Sequence, residues 1–212
     1  MSYLAFSKSA ARFLTEKTGL SPEKEVVLAY SIELLALNLG NILFTLLLAA
    51  LLGVLPGVLS CLAAAFLFRH TAGGAHSNSP WRCAAVTIAV YPAMALLAVF
   101  LSQYGQTLTG VLAAAALLTG LVTLAVLAPV DSPAAPIISP HRRKKLKVLS
   151  FAVLASVAAA IFFFRRSDWL YAPQIQVCLA LSVLWVSFML GKPGHRLMCL
   201  VDRIKIREVR NL

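Results

Sequence analysis

Apolar runs about a bilayer thick alternate with short polar, glycine-rich or proline-rich breaks along this chain. Residues 2–18 set Leu4, Phe6, Ala10, Phe13 and Leu14 among Lys8, Arg12 and Lys17, which predicts a short amphipathic helix lying on a membrane surface. Thr18 to Pro22 ends it. Ser21 is placed to cap the next helix and Pro22 to start it, with Glu23 and Glu25 in its first turn. Val26 to Phe68 is almost wholly apolar, more than twice the ~20 residues that cross a hydrocarbon core. Pro56 between Gly53 and Gly57 is the natural break. Spans are therefore expected at about 23–52, 55–70, 80–102, 107–128, 146–164 and 174–190. The second is short, and Pro92 should kink the third. A proline-rich loop at 129–140 carries the basic run His141 to Lys147 beyond it, Trp169 and Tyr171 suit a membrane interface, and the tail from His195 is basic and partly amphipathic.

The pattern predicts an all-α polytopic membrane protein of about six transmembrane helices, one domain over 1–212: an interfacial helix to residue 20, a membrane core over 23–190 and a basic tail from 191. Composition agrees. Hydrophobic residues make up 60% of the chain, mean hydropathy is +0.84, and charged residues are only 13%, against about 25% in soluble domains. No apolar segment of signal-peptide form opens the chain. The net charge of +11 would suggest nucleic acid in a soluble protein. Here the basic residues flank apolar spans, which points to membrane orientation and anionic lipid instead. With both termini cytoplasmic, all of the 19 lysines and arginines except Arg165 and Arg166 fall on the cytoplasmic side, the arrangement the positive-inside rule selects.

One polar stretch interrupts the pattern. Residues 67–83 gather Gly73 and Gly74, His70 and His76, Arg69 and Arg82, and Cys83. The glycines permit a sharp turn. Ser79 and Pro80 start a helix whose first turn holds Cys83, where unpaired N–H groups and the helix dipole favour a thiolate. His76 lies just upstream as a base. Three readings compete. These are polar residues of an interhelical loop; or His70, His76 and Cys83 bind zinc, though paired ligand spacing and a nearby acid are lacking; or His76 and Cys83 form a base–nucleophile pair. Cys61 and Cys178 sit inside apolar runs and Cys199 in the tail, so no disulfide framework is implied.

Arg69-His70-Thr71-Ala72-Gly73-Gly74-Ala75-His76, six residues and then Cys83 resembles the signature of the AgrB family of membrane cysteine endopeptidases. Glu33 to Asn41 is similar to that family's first hydrophobic helix. Leu127 to Ser132, Pro136-Ile137 and His141 to Lys147 are similar to its central loop, although Ala134 and Ala135 stand where basic residues commonly precede the proline. The resemblance favours the base–nucleophile pair and implies His76 and Cys83 as catalytic residues. It also implies an AgrD-like propeptide substrate with an acidic tail, processed through an acyl-thioester to a thiolactone or lactone in quorum sensing. It calls for no cofactor and no metal, and it leaves room for a homodimer. Groups that would orient His76 or stabilise the oxyanion are Glu33, Asp131, Arg69, Gly73 and Gly74; Arg142, Arg143, Lys144 and Lys145 would hold the substrate tail. Glu33 is also the acid deepest in a span, where ionisable groups are costly and usually functional. With Asn38 and Asn41 on the same arc of its helix, it supports an alternative: a small transporter or channel with a polar path.

Overall fold

The computed structural model describes residues 5–19, 21–131 and 136–204. Eight helices follow in order among these: α1 (Ala5–Thr18), α2 (Pro22–Leu51), α3 (Leu55–Thr71), α4 (Pro80–Ser102), α5 (Gly105–Leu127), α6 (Pro140–Arg165), α7 (Ala172–Leu190) and α8 (Lys192–Arg203). Five of them, α2 and α4 to α7, are long and apolar enough to cross a membrane; α3, at 17 residues, is the short one. The protein is an all-α multi-pass membrane protein, as the apolar pattern predicts. Leu4, Ala134, Ala135 and the tail beyond Ile204 lie outside the described residues.

α7 is the axis of the bundle. Of its apolar window 61% is enclosed by other helices, against 11% for α2, and α3, α4, α5, α6 and α8 all pack on it. Apolar side chains gain little from leaving lipid for protein, so close packing through small residues has to hold such helices together. Gly57 shows this. A Cβ there would sit 2.7 Å from Gln174 Nε2 and 2.9 Å from Cys178 Sγ, so only glycine lets α3 approach α7 so closely. α1 follows a related rule. Ser7, Ala11 and Thr15 form its buried stripe against α2, leaving Phe6 and Phe13 exposed for lipid.

Some boundaries differ from the sequence reading, the start of α7 at Ala172 by two residues. α5 begins at Gly105, two residues early. α6 begins at Pro140, because Ser139 caps it by accepting from the Arg142 N–H. Arg142, Arg143, Lys144, Lys145 and Lys147 are therefore the opening turns of α6 and do not lie on a loop. The basic tail forms α8. α4 continues through Pro92, which is buried.

The end of α3, the start of α4, the end of α5 and the end of α7 meet at one face. The N–H of Val130 donates to Ala72 O (2.9 Å), and the N–H of Ala75 donates to Met189 O (2.9 Å). The turns after α4 and α6 lie at the opposite face. There Phe164, Trp169 and Tyr171 form an aromatic group with ring centroids 6.2 and 5.6 Å apart.

Candidate active site

The polar stretch singled out in the sequence is the turn between α3 and α4. Gly73 takes φ +78° and Gly74 φ +129°, a region that side-chain-bearing residues rarely adopt. A Cβ on Gly73 would also collide with the Val130 carbonyl, because the segment after α5 runs beside the turn as a short parallel bridge. The turn is thus pinned between the end of α5 and the end of α7.

Arg69, in the last turn of α3, reaches across this turn. Its Nη2 donates to His76 Nδ1, and the same nitrogen lies 3.8 Å from Cys83 Sγ. One guanidinium therefore draws the two residues together. Since Nδ1 accepts from Arg69, the neutral imidazole carries its proton on Nε2. Partial burial, then the charges of Arg69 and of His195 on α8, hold the His76 pKa down at about 4, so the ring is a free base at neutral pH. Among the described residues no hydrogen bond joins His76 to Cys83 directly. Arg69 is the cation in contact with the sulfur, and a guanidinium stays charged at any working pH.

Cys83 sits in the first turn of α4, its N–H donating to Ser79 O at 3.1 Å. Ser79 makes no side-chain cap. The N–H groups of Trp81 and Arg82 thus have no acceptor among the described residues and face out of the helix start. Beside the sulfur a narrow cleft runs along α4 past Val86, Thr87, Val90 and Tyr91, closed by Trp185 and Met189 of α7.

The other sequence candidates divide clearly. Asp131 lies beside the glycine turn, where its Oδ2 accepts from Arg143 Nη2 (2.7 Å) and from the Ile137 N–H (3.3 Å). Glu33 is buried on α2. His70 turns away: its Nδ1–H donates to Phe66 O at 2.8 Å, and its ring packs on Phe66. No three His, Cys, Asp or Glu residues among those described gather into a metal-binding group. Asn41 has a buried side-chain oxygen with no partner among the described residues, but Asn38 is exposed, so the polar arc on α2 is not continuous. In the basic run, Arg143 is engaged by Asp131, and Lys147 donates to Ala125 O at 2.6 Å. Arg142, Lys144 and Lys145 are exposed.

Sequence reasoning missed Asp202, Ser77 and Arg82. Asp202, on α8, accepts from the Ser77 hydroxyl, from the Asn78 N–H (3.1 Å) and from Arg82 Nη1 (3.4 Å). The one available signal was that Asp202 is one of two acids, with Glu208, in a basic tail.

Comparisons with known proteins agree with this architecture. The family model described as Accessory gene regulator B matches residues 7–190. A Clostridium perfringens (strain 13 / Type A) protein named "Putative AgrB-like protein 2" is 23% identical over 203 residues, covering 92% of this chain and 94% of that protein. No solved structure matches the chain. The matched segment holds the turn with Arg69, His76 and Cys83 and every membrane-crossing helix, and on that match the chain belongs to the accessory gene regulator B family.

Proposed function

We propose that the protein is a membrane-embedded cysteine endopeptidase that processes an AgrD-like autoinducer propeptide. The observation that carries this is the contact of one Arg69 nitrogen with both His76 Nδ1 and Cys83 Sγ at the uncapped start of α4. A thiol, a guanidinium and a neutral imidazole are thereby linked beside the start of α4.

The chemistry follows from these parts. As the Arg69 guanidinium shifts from His76 Nδ1 onto the sulfur, Nδ1, the ring nitrogen without a proton, takes the proton of the Cys83 thiol. The thiolate attacks the carbonyl carbon of the scissile peptide bond, forming a C–S bond and an oxyanion. Arg69, in contact with the sulfur, the Trp81 and Arg82 N–H groups and the backbone of Gly73 and Gly74 are candidate donors for that charge. The C–N bond breaks as His76 returns the proton to the leaving amine, and the acidic tail departs. A thiol or hydroxyl within the substrate then attacks the thioester, closing a thiolactone or lactone and freeing Cys83. The cleft along α4 limits water, which would otherwise hydrolyse the thioester.

The distribution of basic residues supports a cytoplasmic position for this face and for both termini. Exposed Arg142, Lys144 and Lys145 at the start of α6 supply positive charge there for an acidic tail. Co-expression with a short peptide having an amphipathic start and an acidic end, followed by mass spectrometry, tests the reading. Cleavage by the wild type and none by Cys83→Ala is expected; full processing by Cys83→Ala overturns it.

A further inference from the structure

The turn that carries His76 and Cys83 is held by a helix outside the membrane-crossing bundle. Asp202 lies in the last turn of α8, more than a hundred residues further along the chain. Its Oδ1 accepts from the Ser77 hydroxyl and from Arg82 Nη1 at 3.4 Å, and its Oδ2 accepts from the Asn78 N–H at 3.1 Å. Arg82 completes the clamp by donating to the carbonyls of Asp202 (3.0 Å) and Ile204 (2.8 Å). Ser77 Oγ in turn accepts from the Ser79 N–H at 3.2 Å. Every residue gripped lies between His76 and Cys83.

Attachment of α8 does not depend on this carboxylate. Gly194 lets α8 close onto the end of α7, where a Cβ would come within 2.5 Å of Met189 Cα, and Met198 is buried. Partly exposed ion pairs add little stability; what several convergent hydrogen bonds do well is fix direction. The bonds to Asp202, Ser77 first and then Asn78 and Arg82, also hold its carboxyl below the usual carboxylate range, so the grip is present throughout the neutral range. The family match ends at residue 190 and α8 begins at Lys192, so Asp202 lies beyond the matched segment while Ser77, Asn78 and Arg82 lie within it.

We infer that Asp202 is a positioning residue: through Ser77, Asn78 and Arg82 it sets the placement of His76 and Cys83 relative to Arg69. The catalytic part of this inference rests on the endopeptidase reading; the geometric part does not. Small displacements of a reacting group cost about 10- to 100-fold in rate.

The test uses full-length protein in liposomes on a Cys199→Ser background, which leaves Cys83 as the accessible thiol because Cys61 and Cys178 are buried. Asp202→Asn should lower kcat roughly 10- to 100-fold with little change in KM. It should also change the rate of Cys83 alkylation by a small maleimide severalfold, with the thermal midpoint nearly unchanged. Asp202→Glu should recover part of both losses. Ser77→Ala should be milder alone and add nothing to Asp202→Asn. Wild-type kcat and alkylation rate in Asp202→Asn would overturn the inference, as would losses that merely follow a fall in folded protein. If the wild type cleaves no propeptide, the endopeptidase reading fails, while the alkylation rates still decide whether Asp202 places the thiol.

Discussion

The two ends of α4 solve the same problem in different ways. At its C-terminal end, Gln103 and Tyr104 turn the chain into α5 with, among the described residues, only local bonds: Gln103 N–H to Phe100 O, Tyr104 N–H to Leu101 O, and Tyr104 packed edge-on to Phe100. At its N-terminal end an eight-residue turn is tied to the ends of α3, α5 and α7 and to α8. Reversing a helix direction therefore needs only the first kind of connection. The long-range polar bonds at the other end serve placement, and what they place is an imidazole, a thiol and a guanidinium. Concentration of such bonds at one end of a helix separates a working turn from a connecting one.

The comparison breaks most sharply if the chemistry itself is removed. Cys83→Ala should abolish propeptide cleavage, a fall of several orders of magnitude, while the protein still accumulates in the membrane. His76→Ala should be comparably inactive, because the thiol loses its base and the leaving amine its acid. Alanine at Cys61, Cys178 or Cys199 should leave activity within a few-fold, as should His70→Ala, whose ring is turned toward Phe66. Mass spectrometry of the peptide products reads all of these. An inactive Cys199→Ala with Cys83→Ala still active would move the nucleophile to another thiol.

Two glycines sharpen the contrast, because both take positive φ at opposite ends of α4. Gly73 has φ +78° and faces the Val130 carbonyl; Gly105 has φ +86° and nothing within 4 Å. Gly105→Ala should cost only the backbone strain, about 1–2 kcal/mol, and keep near wild-type turnover. Gly73→Ala carries the same strain and must also push the segment after α5 away from the turn. It should lose at least tenfold in kcat. Thermal unfolding and turnover measured on both variants check this, and equal turnover would show that the bridge to Val130 does not position the site.

A subtler probe is acid. With its pKa held at about 4, His76 is neutral across the physiological range, so the acid limb of kcat/KM should fall well below the ordinary imidazole value of about 6.5. Arg69→Gln removes one of the causes and should shift that limb upward. It should not reach the free value, because burial is the larger cause. The stability consequence has a definite sign. Between about pH 6.5 and pH 4 the unfolded chain binds the His76 proton and the folded chain does not, so stability falls as pH drops through that window. The ring is partly open to solvent, which makes this loss smaller than the shift alone implies. Thermal midpoints of wild type and Arg69→Gln between pH 4 and 7 should converge at the alkaline end of the window and diverge at its acid end.

Much of this was legible in the chain and some was not, for physical reasons. Apolar runs and their glycine or proline breaks specify spans well, because a bilayer imposes a length on every helix that crosses it; Pro56 and Pro80 mark starts that the structure keeps within a residue. The turn with Gly73, His76 and Cys83 stood out because polar groups are costly among such runs. Arg69 was visible only as an oxyanion donor. Its role as the bridge between base and thiol needs the α3 end to face the α4 start, which helical spacing alone does not report. Asp202 showed only as an acid in a basic tail; its partners, more than a hundred residues away, could not be read from the sequence. The basic run was misread as part of a loop because the prolines before it hid the Ser139 cap.

That last correction reshapes the smallest expected effect. On a loop, all the basic residues from Arg142 to Lys145 would be equivalent in gripping an acidic tail. At the start of α6 they are not. Arg143 is paired with Asp131, at 2.7 Å, and helps fasten the segment beside the glycine turn, whereas Arg142, Lys144 and Lys145, exposed like it, make no ion pair among the described residues. A helix N-terminus is also a poor place for cations on dipole grounds, so these three are not there to stabilise α6. Their field should steer and hold a negatively charged tail near Cys83, weakening as salt screens it over ~8–10 Å. The competing role, orientation in the bilayer and contact with anionic lipid, is already complete once the protein is purified. In detergent without anionic lipid, neutralising Arg142, Lys144 and Lys145 together should raise KM a few-fold for a propeptide with an acidic tail and leave kcat alone. The effect should vanish with a tail-neutralised propeptide and shrink with added salt. Arg143→Gln should behave differently, lowering kcat for both substrates, because it loosens the anchor beside Gly73. Identical behaviour of all four cations would mean that the Arg143–Asp131 pair anchors nothing, and no change in KM for either substrate would leave the run as an orientation signal alone.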